Sequence, residues 1–193
     1  MSRDLTDLRP EMRTAAGLVL AAAAHCDLDL LVSSTYRSIW EQARLYRRSR
    51  PLAEIVAKQA QLDARGYGCL AAAIDAVGPQ YGQLGKHVTH AGPGESWHQW
   101  GAAVDAVPWL DAKTLAWDIT DDDPRWPEAD EAWQCYGAAV RQAGLAWGGD
   151  WGWDRPHCQL RSDYDNPLDA YTPANVDEWA ERMGWHGREE RRE

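Results

Sequence analysis

The sequence predicts one α+β domain. Helical and strand signals are mixed along the chain. The predicted strands are short, and neither an internal repeat nor a convincing linker divides the 193 residues, a length that supports a real core. The domain is drawn over residues 1–187, with 188–193 as a charged, frayed tail.

Residues from Pro10 to Cys26 are read as the first helix, since Pro10 suits a first turn and good helix formers follow. The segment is Ala-rich, but Asp4, Asp7 and Glu11 interrupt the basic run that an export leader needs. Alternating and β-branched apolar residues make Leu28–Ser34 a strand. Ser38–Arg48 is a helix with Ser38 as N-cap and Glu41 at the capping-box position. Pro51 restarts a helix that runs to Arg65, before Gly66. Gly78–Gly94 is a Gly- and Pro-rich loop, and Ala102–Val107 has the small, apolar character of a central strand. Pro108–Pro127 reads as a long acidic connection. Ala129–Ala143 is helical and ends at Gly144. Short strands at Leu145–Trp147 and His157–Leu160 bracket Gly148-Gly149, and a last helix spans Ala174–Met183.

Composition excludes several classes. A net charge of −10 argues against nucleic acid, whose binders displace counterions with a basic face, and against general attraction to anionic membranes or wall polymers. No run approaches the ~20 apolar residues of a membrane span. Cys26, Cys69, Cys135 and Cys158 form no CxxC pair and are read as free thiols. Twelve Trp and no Phe mean that indoles fill the core. Trp97, Trp100, Trp147, Trp151 and Trp153 also flank the polar motifs, where some can wall a groove.

Those motifs are Ser96-Trp97-His98-Gln99-Trp100-Gly101-Ala102-Ala103-Val104-Asp105 and Asp154-Arg155-Pro156-His157. Two imidazoles and one carboxylate, His98, His157 and Asp105, fill three positions of a zinc ion and leave a fourth for water. His98 and Asp105 stand an odd number of residues apart, so one regular strand would send them to opposite faces. A turn at Gly101 has to bring them together. Asp154, three residues before His157, is placed to take a proton from the water. Asp150 is read as a loop-shaping group or one that orients a ligand imidazole. Arg37, between a strand and a helix, suits an oxyanion. Gln42 is assigned to support substrate or Tyr36, and Ser96, Trp97 and Trp151 are assigned to substrate binding. Ser96 lacks a third orienting group for nucleophilic catalysis with His98.

These residues resemble the zinc D-alanyl-D-alanine carboxypeptidases and dipeptidases and the related L-alanyl-D-glutamate endopeptidases of bacteria and phages. The shared pattern is SxHxxGxAxD followed by [ED]xxH, and every specified position is matched. Ser34-Thr35-Tyr36-Arg37-Ser38 looks like S-G-Y-R-S with Thr35 in place of Gly. His87-Val88-Thr89-His90-Ala91 looks like a V-T-N-A lead-in with His90 in place of Asn. Trp147-Gly148-Gly149-Asp150-Trp151 before D-x-x-H is similar to the endopeptidase branch.

The resemblance implies a small antiparallel sheet with helices packed against it, the fold shared with hedgehog signalling domains. It also implies one zinc on His98, Asp105 and His157, Asp154 as base and Arg37 at the transition state. The implied substrate is the stem peptide of bacterial peptidoglycan, cut between L-alanine and D-glutamate; the chain is expected to act as a monomer. Removal of terminal D-alanine, and a non-catalytic zinc-stabilised binding domain, are the alternatives. The chain is expected to be made in the cytoplasm and to reach the wall through another system, as a phage endolysin or an injected effector does.

Overall fold

A computed structural model describes residues 1–78 and 87–184. The expected tail and residues 79–86 of the predicted loop lie outside the described residues. The described residues form two compact units, each discontinuous in sequence: 1–36 with 100–162, and 37–78 and 87–99 with 163–184. Because the chain passes between them within continuous motifs, no linker marks either one.

The first unit carries the sheet. Its elements are α1 (Pro10–Ala24), β1 (Leu30–Ser34), β2 (Ala103–Asp111), β3 (Thr114–Leu115), α5 (Trp126–Gln142), β4 (Ala146–Trp147) and β5 (His157–Gln159). The strands pair antiparallel in the order β1-β2-β5-β4, with β3 folded back on β2. The antiparallel α+β expectation is thus met. The core joins Met12, Ala16 and Val19 of α1 to Val104, Ala106 and Val107 of β2 and to Trp133, Tyr136 and Val140 of α5. Spacings of three and four place these residues on one face of each helix.

The predicted strand Ala102–Val107 is longer than expected, continuing through Pro108 to Asp111. The predicted 108–127 connection is not a bare loop. Asp111 Oδ1 accepts from the backbone N–H groups of Lys113 and Thr114 and closes a hairpin turn into β3. A 3-10 turn follows at Ala116–Asp118, and α5 starts at Trp126, with Pro127 tolerated in its first turn.

The second unit is helical among the described residues: α2 (Ile39–Arg47), α3 (Leu52–Ala64), α4 (Gly68–Ala76), α6 (Pro167–Ala170) and α7 (Pro173–Arg182). The Ser38/Glu41 capping box is formed. Helix α4 was not expected. Its run Cys69-Leu70-Ala71-Ala72-Ala73-Ile74 is too uniformly apolar to show a period, and Tyr67 at its N-cap makes no side-chain cap. The Tyr67 hydroxyl instead donates toward the carbonyls of Leu168 and Tyr171, which ties α4 to α6.

Candidate metal centre

The site begins with strand register. Asp105 on β2 stands opposite His157 on β5 and Ser34 on β1. Directly paired residues share a face, so Asp105 Oδ1 lies 3.1 Å from His157 Nδ1. On the other side of the ring, His157 Nε2 lies 2.9 Å from Gln159 Oε1. Both neighbouring oxygens are acceptors; with a cation on the Asp105 side, the ring would keep its proton on Nε2, toward Gln159, and offer Nδ1 as donor atom. Gln159 was not foreseen, although its position two residues past His157 puts both on one face of β5.

His98 comes from a 3-10 turn over Trp97–Trp100. Gly101 ends the turn at φ +62°, in the left-handed region that favours glycine. A side chain there would also strike backbone, at 3.1 Å from Arg9 N and 3.2 Å from Asp7 O. The turn expected between His98 and Asp105 is therefore present. Gln99 N donates to Ser96 O, Gln99 Oε1 accepts from Gly94 N at 2.7 Å, and His98 O accepts from Arg37 N at 3.4 Å. The backbone of Arg37 is thus tied to that of His98.

One ligand atom from each of His98, Asp105 and His157 lies within 4.8 Å of the others. His98 is 1% exposed and His157 is 8% exposed. Tetrahedral zinc with bonds of 2.0–2.1 Å separates its ligand atoms by about 3.3 Å, close to the 3.1 Å between Asp105 and His157. The electrostatics agree. Burial works most strongly against protonating His157, yet the hydrogen bond to Asp105 and the charges of Asp105 and Asp154 prevail and raise its pKa. The same negative charges that favour a proton on the ring would favour a metal cation beside it.

Asp154 is set by the backbone around it. Its N–H donates to Gly148 O and its carbonyl accepts from His157 N at 3.1 Å. Arg155 O accepts from Trp147 Nε1 at 2.7 Å, and the Arg155 guanidinium meets Asp130 at 2.7 Å. Pro156 O accepts from the Tyr136 hydroxyl at 2.9 Å and from Ala106 N at 3.0 Å. Four consecutive residues are thereby fixed to α5, β2 and the 148–151 turn.

The remaining expected site residues divide. Trp151 is 42% exposed, and its ring lies 5.5 Å from that of His157. Ser96 is half-buried beside the His98 turn. Trp97 is buried and offers little surface to a substrate. Gln42 is fully buried, and its Nε2 donates to Ala91 O at 2.8 Å, which anchors the 89–91 loop. Asp150 accepts from Arg141 through both carboxylate oxygens. It shapes its loop, while Gln159 is the group that orients the imidazole.

Two buried imidazoles and a half-buried carboxylate on an antiparallel α+β fold make a donor set that could hold a metal ion, as in the metallohydrolase class. Residues 5–137 match the family model described as VanY, D-alanyl-D-alanine carboxypeptidase. The chain belongs to that family, and it is an enzyme of the peptidase class. The matched span includes His98 and Asp105 and stops before Asp154 and His157. Over 157 residues, the chain is 26% identical to the peptidoglycan L-alanyl-D-glutamate endopeptidase CwlK of Bacillus subtilis (strain 168), across 80% of this chain and 74% of that protein. The solved structure of the L-Ala D-Glu endopeptidase ChiX of Serratia marcescens is 20% identical, covers 81% of this chain and 83% of its own, and has a TM-score of 0.39.

Proposed function

We propose that this chain is a zinc-dependent peptidoglycan peptidase that hydrolyses the stem peptide between L-alanine and D-glutamate. The convergence of His98, Asp105 and His157 carries the reading. These three residues would hold the zinc, which when bound acidifies water and polarises a carbonyl.

The protein's own groups supply the rest. The Asp154 carboxylate takes a proton from the attacking water as the new C–O bond forms at the scissile carbonyl. It returns that proton to the leaving nitrogen of D-glutamate as the C–N bond breaks. The Arg37 guanidinium donates to the oxyanion formed between these steps. Gln159 holds the His157 ring in one tautomer throughout. One chain supplies all of these groups, so a monomer suffices. Among the described residues, no helix is long and apolar enough to cross a membrane, and the proposed place of action is the cell wall.

The choice of bond is supported by the endopeptidase named among the relatives. The family description favours a second reading, removal of terminal D-alanine. Digestion of purified peptidoglycan by zinc-loaded protein, read by mass spectrometry, separates them. A new amino terminus on D-glutamate is expected; free D-alanine would establish the second reading. Neither product would leave a zinc-stabilised binding domain.

A further inference from the structure

An exposed aromatic pair extends from the candidate metal centre. The Trp151 ring lies 5.5 Å from His157, and the Trp153 ring lies 5.7 Å from Trp151, at interplanar angles of 39° and 33°. Trp153 is 65% exposed. Gly152 between them sits at φ +83° and donates its N–H to Gly149 O, closing the turn that presents both indoles.

We propose that Trp151 and Trp153 form a stacking subsite for the N-acetylated aminosugar that bears the stem peptide. The proposal rests on the endopeptidase reading and on the reach of the substrate. L-Alanine is joined to the sugar through its lactyl group, so one residue and one short acyl unit separate the scissile carbonyl from the ring. At about 3.5 Å per unit, the sugar begins roughly 7 Å from the bond being cut. The Trp151 ring stands 5.5 Å from a proposed metal ligand and Trp153 one ring step beyond it, so the pair covers the distance at which the sugar begins.

A terminal D-alanyl-D-alanine bond lies three residues further along, so its sugar sits about 10 Å further away. With a net charge of −10, the chain has no general attraction for an anionic wall polymer. An indole face packs against the C–H face of a pyranose without needing charge, and this suits a neutral sugar ring.

The test compares kcat/KM of the zinc-loaded enzyme on an N-acetylmuramyl peptide and on the same peptide carrying only an N-acetyl group. Wild type should prefer the muramyl peptide. Trp153→Ala should reduce that preference about tenfold, the effect of removing some 50 Å² of apolar contact. Trp153→Tyr should retain most of it. If wild type shows no preference, or if Trp153→Ala keeps it, the subsite is refuted while the endopeptidase reading stands. If wild type releases D-alanine and leaves the L-alanyl bond intact, the reading and the subsite fall together.

Discussion

Gln159 contacts the outer nitrogen of the His157 imidazole, so under the proposed function it serves metal affinity more than folding. Gln159→Leu is expected to weaken zinc binding about 10–100-fold, measured by competition with a chromogenic chelator. Asp154→Ala makes the opposite separation: it keeps zinc and loses at least about 100-fold in kcat, read in the peptidoglycan digest. Zinc retention with full turnover in Asp154→Ala would assign the base elsewhere. The donors were legible in the sequence because His98 and Asp105 flank a glycine at a spacing that demands a turn, and the turn is there. Gln159 was not, since an amide after a strand histidine becomes informative only once the ring's hydrogen bonds are known. Trp97 and Gln42 were assigned from proximity to the motifs, and burial directs both inward.

At the scale of elements, two glycines make room for the framework of the site. A Cβ on Gly137 of α5 would approach the Trp147 ring to 2.4 Å. Trp147 cannot easily retreat, because its Nε1 is bonded to Arg155 O. Glycine to alanine in a helix interior normally stabilises by about 1 kcal/mol, but overpacking costs about 1–3 kcal/mol. Gly137→Ala should therefore lower Tm in a thermal melt. A Cβ on Gly148 would come within 2.2 Å of Asp154 O, and a backbone atom cannot rotate aside. Gly148→Ala should displace the base and reduce kcat about 100-fold.

The 148–151 turn also carries a pH signature. Hydrogen bonding to Arg141 holds the Asp150 carboxyl below its ordinary 3.8. A depressed carboxylate stabilises the fold above its unfolded pKa, and that contribution is lost as pH falls through the folded value. The pair is nearly half exposed, so Asp150→Asn should cost only about 1–3 °C of Tm at neutral pH. The difference from wild type should vanish in strong acid. Helix α4 marks where pattern reading ran out: without a polar face or a cap, its apolar run has no period to detect.

For the whole molecule, the α+β class was legible in the mixed helical and strand signals, whereas the antiparallel pairing came only with the family resemblance. The division into two units was not, because a unit built from two separated stretches shows no composition change at its edges. The meeting of His98, Asp105 and His157 was readable before the fold because it depends on local geometry: a turn at Gly101 and one register pair, Asp105 opposite His157. The metal content of the purified protein tests this most directly. After dialysis against trace zinc, elemental analysis should find one zinc per wild-type chain and strongly reduced zinc in each of His98→Ala, Asp105→Ala and His157→Ala. Undiminished zinc in all three variants, or none in wild type, would contradict the account.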